Sequence, residues 1–257
     1  MSCAAGARGG ASGPARVKAS PFQETLSPTA VPAPDLSVTL APPDLAAYRA
    51  GNAGVPGLMH FDSNRPGPHV VVCALMHGNE FSGALALDRL LCDGVRPMRG
   101  QLSLLFLNLE AFSRFDAANP TASRYVDEDM NRLWSPALIG GRGTSSELAR
   151  AREVAPVIKS ADVLLDLHTM LWPGAPVVLG RCGHPGGAFA ETLGLETLVV
   201  EDQGHTAGQR LIDGALFDGR TTPIPRSFIL EAGQHWEERS VATALRAARK
   251  LLARTCG

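Results

Sequence analysis

The run His69 to Met76, HVVVCALM, restricts the fold of this chain more than any other feature. A continuous β-branched and apolar run leaves no polar edge for solvent, so a strand built from it must be covered on both faces. HGNE follows at once, and then FSGALALDRLL, whose apolar residues recur at helical spacing. A strand, a turn and a helix in direct succession begin a parallel crossover unit.

The alternation continues. LSLLFLNL (102–109) reads as a second buried strand, SELARAREVAPVIKSA (146–161) as a helix and DVLLDLHT (162–169) as a third strand. PVVLG (176–180), a short helix near Phe189, TLVVED (197–202) and SFILEAG (227–233) extend the series, and a helix from Glu237 to Arg254 closes it. Upstream, residues 36–63 carry SVTL, LAAY and GLMHF between Pro and Gly, which predicts an edge strand, a short helix and another strand. Residues 1–36 are dominated by Ala, Gly, Pro and Ser and read as a disordered tail, because they cannot bury enough apolar surface to offset ordering entropy. The expectation is one α/β domain over 37–257, with a mostly parallel sheet covered on both faces.

Composition excludes several function classes. Twenty-four Lys and Arg against 25 Asp and Glu leave a net charge of -1, and no basic stripe with interleaved aromatics appears, so neither nucleic acid nor an anionic membrane is expected as partner. The longest apolar runs fall far short of the roughly 18 residues that cross a bilayer. The first 20 residues lack the apolar core of a secretory signal; they are Arg-bearing and acid-poor, as a transit peptide is, but a plain tail explains them equally. Five dispersed cysteines without a CxxC pair argue against a disulfide framework or a cysteine zinc cluster, so a cytoplasmic location is expected.

Ligands of parallel sheets bind beyond the carboxyl ends of the strands. Three predicted strand ends deliver polar groups there: His77 and Glu80, then His168, then Glu231. Two His and one carboxylate form the ligand set of a catalytic zinc, and a further carboxylate can act as base. His-x-x-Glu alone is weak, since chance supplies roughly 0.3 such pairs in a chain of this composition. A second pair, His235 and Glu238, sits where a helix begins and reads as dipole-favouring acid. For His77 the plain alternative is a hydrogen-bonded histidine in a turn; Gly78 and the helix opened by Glu80 instead let imidazole and carboxylate converge, with His168 completing the shell. SRYVDEDMNRLW (123–134) adds Arg124, Asp127, Asp129, Asn131 and Arg132, which is either a solvated charged loop or, beside a metal, a substrate clamp.

HGNE, RYVDEDMNR, DLHT and ILEAG, in that order and at these intervals, resemble the zinc carboxypeptidase superfamily, and more closely the succinylglutamate desuccinylase/aspartoacylase family, over about residues 68–235. The resemblance implies a zinc-carboxypeptidase-like three-layer α/β/α fold with a mostly parallel, mixed sheet, and one Zn2+ held by His77, Glu80 and His168. It implies that Glu231 activates water and then protonates the leaving nitrogen, and that Arg124 polarises the scissile carbonyl. Asn131 and Arg132 would bind a substrate carboxylate, while Asp129 would orient the first zinc histidine. The implied activity is a zinc-dependent amidohydrolase, a deacylase of an N-acyl amino acid or a similar small amide bearing a carboxylate. The alternatives are a metallocarboxypeptidase acting on short peptides and a non-catalytic zinc-binding protein; a homo-oligomer is compatible with either.

The sequence also departs from that family. Only 26 residues follow Glu231, so the family's additional C-terminal β-rich domain is expected to be absent. A further substrate-binding arginine has three equal candidates, Arg210, Arg220 and Arg226. Residues 201–225, which include His205, form the candidate specificity loop.

Overall fold

A computed structural model of the chain describes residues 16–18, 33–217 and 225–257. Its centre is an eight-stranded sheet in chain order β1 (Arg16–Lys18), β2 (Leu58–Asp62), β3 (His69–Ala74), β4 (Gln101–Phe106), β5 (Val163–Met170), β6 (Val177–Arg181), β7 (Leu198–Asp202) and β8 (Arg226–Gln234). In space the order is β1-β7-β6-β8-β5-β3-β4-β2. Only β2 with β4 and β6 with β8 run antiparallel, so the sheet is mixed and mostly parallel.

Strand β3 shows why both faces are covered. Val70, Val72 and Ala74 enter one hydrophobic cluster, while Val71 and Cys73 enter the other, as the two-residue period of a strand requires. The first cluster is closed by α1 (Ser82–Cys92) and α6 (Glu238–Thr255), through Ala84, Leu87, Leu90, Ala244, Ala248 and Leu251. The second is closed by α4 (Ser146–Lys159), through Ala151, Val154 and Ile158. Three short helices, α2 (Leu109–Ser113), α3 (Pro136–Ile139) and α5 (Gly186–Glu191), complete the three-layer α/β/α arrangement. Each fully buried Val or Leu of the strands contributes about 1.5–3 kcal/mol by leaving water. No described helix is long and apolar enough to cross a membrane.

Two sequence expectations need correction. SVTL forms no strand: residues 37–39 are irregular, Thr39 Oγ1 donates to the Trp236 carbonyl, and Val38 and Leu40 pack on the first cluster. Pro42 and Pro43 follow directly, and the sheet edge beside β4 is already taken by β2. Within the stretch read as a tail, the backbone of Arg16–Lys18 pairs in parallel with β7 and forms the sheet edge. The rest of that stretch, up to residue 32, lies outside the described residues.

Candidate metal centre

The site lies beyond the carboxyl ends of the adjacent parallel strands β3, β5 and β8. Strand β3 ends abruptly because Leu75 takes a left-handed φ of 61°, a conformation that costs a β-carbon-bearing residue roughly 1–2 kcal/mol. His77 follows in the turn. A β-carbon on Gly78 would stand 2.5 Å from the backbone of Ala111, Phe112 and Ser123, so only glycine fits there. The Gly78 N–H donates to the Arg124 carbonyl at 3.0 Å, which joins the turn to the arginine-bearing loop. Glu80 stands immediately before α1, and His168 is the register partner of Glu231 across β5 and β8.

His77, Glu80 and His168 are buried, and their potential ligand atoms lie within 4.8 Å of one another. His77 Nδ1 is 2.8 Å from Glu80 Oε1, and His168 Nδ1 is 3.2 Å from Glu80 Oε2. The outer nitrogens both meet carboxylates at 2.9 Å: His77 Nε2 meets Asp129 Oδ1, and His168 Nε2 meets Asp166 Oδ2. A histidine whose outer nitrogen is fixed by a carboxylate presents its other nitrogen in the orientation and tautomer a metal needs. The Thr169 N–H donates to Glu80 Oε2 at 3.0 Å and steadies the carboxylate between the rings. The donor set therefore fits a divalent cation of borderline softness, with two imidazoles and one carboxylate.

Within the cluster, imidazoles and carboxylates shift one another's protonation. Burial pushes the Glu80 carboxyl up, but His77 and His168 outweigh it and hold Glu80 well below the ordinary range. Burial likewise pushes His168 down, and Asp166 with Glu80 reverses that and raises it well above the usual value. Asp129 is lowered in spite of its burial by the His77 hydrogen bond and by Arg132 and Arg124. Glu231 behaves oppositely. Desolvation, opposed by His168 and reinforced by Glu80, lifts it to about 7, and its Oε2 is buried with no hydrogen-bond partner among the described residues.

The loop residues fall around this cluster. Arg124, with 38% of its side chain exposed, donates from Nη1 to Glu80 Oε1 at 2.8 Å and places Nη2 3.0 Å from His77 Nε2. Asn131 is buried and its Oδ1 accepts from the Leu211 N–H at 3.0 Å. Arg132 donates to the Asn131 carbonyl at 2.6 Å and stands 3.7 Å from Asp129. Asp127 turns away from the cluster: its Oδ2 accepts from the Ser146 N–H at the start of α4.

Of the three further arginine candidates, Arg210 and Arg226 make their contacts elsewhere. Arg210 is buried in ion pairs with Asp202 and Asp213, so its guanidinium is committed to the fold. Arg226 begins β8, at the opposite end from Glu231, and lies over the Phe189 ring. Arg220 lies outside the described residues, as do residues 218–224 of the candidate specificity loop. His205 is exposed and its Nδ1 accepts from the Ala207 N–H. His235 and Glu238 do not converge: His235 Nδ1 is 2.6 Å from Thr169 Oγ1, whereas Glu238 is exposed and pairs with Arg89.

Asp166 was missed by sequence reasoning. Its signal is the spacing Asp-x-His within a strand, which puts both side chains on one face. Glu147, buried on α4 and bonded to the loop, left no comparable signal, because only the fold brings it there.

Comparisons with known proteins identify the family. A family model for the succinylglutamate desuccinylase/aspartoacylase catalytic domain matches residues 66–213. Among solved structures, the chain is similar to a succinylglutamate desuccinylase from Chromobacterium violaceum, 21% identical over 78% of this chain and 67% of that one, with a TM-score of 0.60. It is also similar to the product-bound ectoine utilization protein EutE (DoeB) from Ruegeria pomeroyi, 20% identical over 77% of this chain and 60% of that one, with a TM-score of 0.59. A third is a succinylglutamate desuccinylase from Silicibacter sp. TM1040, 17% identical over 78% of this chain and 60% of that one, with a TM-score of 0.57. The chain thus spans 60–67% of the length of these structures. No curated protein matches it. The family match holds His77, Glu80, Arg124, Asp129 and His168 and ends before Glu231, so more than half of the chain, including the buried His/Glu/His cluster, places it in the succinylglutamate desuccinylase/aspartoacylase family.

Proposed function

We propose that the protein is a zinc-dependent amidohydrolase that removes the acyl group from an N-acyl amino acid or a similar small amide bearing a carboxylate. The observation that carries this reading is the pairing of a buried His/Glu/His cluster with Glu231 on the neighbouring strand, whose buried Oε2 has no hydrogen-bond partner among the described residues. When bound by His77, Glu80 and His168, zinc supplies Lewis-acid chemistry and makes water acidic enough to attack near neutral pH.

The chain's own residues do the rest. Glu231 accepts the proton of the attacking water at its carboxylate and returns it to the leaving nitrogen; a value of about 7 suits both transfers, because a proton carrier works best near the operating pH. Arg124 borders the cluster with its guanidinium partly open to solvent, where it can exchange its contact with Glu80 for the substrate carbonyl and the developing oxyanion. Arg132 and Asn131, held beside Asp129, fix the substrate carboxylate so that the amide carbonyl faces the cluster. Asp129 and Asp166 orient the two histidines.

The test is product detection by mass spectrometry from a pooled panel of N-acyl amino acids and short peptides, with zinc-loaded and chelator-treated protein side by side. Free amino acid from an N-acyl substrate, absent after chelation, is the expected result. Release of C-terminal residues from the peptides would make the protein a carboxypeptidase instead, and bound zinc with no product from either would make it a non-catalytic zinc protein.

A further inference from the structure

The loop that carries Arg124, Asp129, Asn131 and Arg132 has little regular structure of its own. Two three-residue 3-10 turns, Ala122–Arg124 and Met130–Arg132, stand at its ends. Between them, three successive backbone N–H groups point at a single carboxylate, that of Glu147. Val126 donates to Oε1 at 2.6 Å, and Asp127 and Glu128 donate to Oε2 at 3.0 and 3.3 Å. Asn108 Nδ2 supplies a fourth donor, to Oε1 at 3.0 Å.

Glu147 is fully buried in the first turn of α4, so the helix fixes where its carboxylate stands. Asn108 follows β4 and uses its own Oδ1 to cap α2 through the Ala111 N–H. One carboxylate therefore ties the helix, the residue after the end of β4 and the middle of the loop to one point. Burial raises its pKa, and the four N–H donors more than reverse this, so it is lowered and the group stays ionised. An ionised carboxylate is an expensive group to bury, but an apolar side chain here would leave the four donors without their acceptor. What the carboxylate provides is a fixed path for three consecutive amides.

The ends of the loop are held at the site itself. The Arg124 carbonyl accepts from the Gly78 N–H in the turn between His77 and Glu80. Asp129 Oδ1 contacts His77 Nε2 and also accepts from the Asn131 N–H at 2.8 Å. Asp127 and Glu128 reinforce the middle through Ser146 N and Ser145 Oγ at the start of α4.

We propose that Glu147 is a positioning residue: through the amides of Val126, Asp127 and Glu128 it sets where Arg124, Asp129 and the Asn131–Arg132 pair stand relative to His77 and Glu80. It touches none of the candidate ligands. Its kinetic consequence rests on the deacylase reading, whereas its effect on the His77 environment does not.

Two variants test it. Glu147→Gln keeps the size but turns an amide NH2 toward backbone donors. Asn108→Asp keeps the oxygen that caps α2 and replaces the donor to Glu147 with a second carboxylate. Hydrogen exchange of the segment spanning residues 124–132, zinc affinity by chelator competition, and kcat and KM are measured on folded protein. Exchange at residues 126–128 should quicken in both variants, and zinc affinity should fall about tenfold through the loosened Asp129–His77 contact. For the N-acyl amino acid turned over best, kcat should fall through Arg124 and KM should rise through Asn131 and Arg132, lowering kcat/KM by about a hundredfold. A purely structural role would lower the melting temperature and leave these constants unchanged. Unchanged exchange at 126–128 overturns the proposal, as does quickened exchange with wild-type zinc affinity and wild-type kinetics. If the unaltered protein hydrolyses no N-acyl amino acid, the deacylase reading fails, and exchange with zinc affinity still decides the role of Glu147. Should Glu147→Gln not fold, Asn108→Asp decides it by the same readouts.

Discussion

Replacing Asp166 is expected to weaken zinc binding although Asp166 is not itself a ligand. The side chain is completely buried in β5, two residues before His168, with Oδ2 2.9 Å from His168 Nε2 and Oδ1 unpartnered among the described residues. In Asp166→Asn an oxygen still accepts from Nε2–H, so the ring keeps its direction and only the charge is lost. That corresponds to about tenfold in affinity, or about 1.4 kcal/mol. In Asp166→Ala the buried Nε2–H has no acceptor, the ring is free to turn, and the loss should approach a hundredfold, about 2.7 kcal/mol. The assay is competition between the protein and a chromophoric chelator at pH 7, with circular dichroism confirming the fold. Wild-type affinity in both folded variants would mean that His168 is not held for a metal by Asp166.

Other parts of the molecule give independent predictions. His69 lies at the opposite end of β3 from the site, bonded to Ser103 and Ser160, and its burial lowers its pKa below the usual 6.5. The unfolded chain therefore binds the proton first, so stability falls as pH drops below about 6.5; His69→Gln should flatten that slope in urea titrations between pH 7 and pH 5, and an unchanged slope would contradict the assignment. Arg210→Met takes the guanidinium at 2.8 Å from the buried Asp213 carboxylate, which keeps the residue 210 N–H at 2.8 Å and Arg181 at 3.8 Å, and should cost about 1–3 kcal/mol in denaturant unfolding; wild-type stability would show the pair to be solvated. Gly78→Ala must displace backbone at 2.5 Å and should destabilise by about 1–3 kcal/mol and reduce zinc affinity; a variant with wild-type values for both would show that the turn yields freely.

The parts of the fold that were legible are those where local pattern and burial agree. HVVVCALM and DVLLDLHT read as strands covered on both faces because each of their faces feeds a different cluster. SVTL misled because alternation reports only that a segment has an apolar side: Val38 and Leu40 meet the core without any strand to pair with. The convergence of His77, Glu80 and His168 was legible because each lies at or just after the end of a recognisable strand. Arg210 was not, since its two acids come from β7 and from a 3-10 turn that no local pattern announces. Glu147 was invisible for the same reason: on sequence it is an ordinary acid in the first turn of a helix, and only folding brings residues 126–128 onto it.

Glu231 is proposed to move the proton for a metal held by His77, Glu80 and His168. The most direct measurement compares wild type and Glu231→Gln for zinc content per chain and for kcat on the same N-acyl amino acid. One zinc is expected in both, with a loss of nearly all turnover in the variant. Wild-type kcat/KM should also fall as pH drops into the range where the Glu231 carboxyl, raised by burial, becomes protonated. A variant that binds zinc and keeps wild-type turnover would contradict the assignment of Glu231, and with it the mechanism.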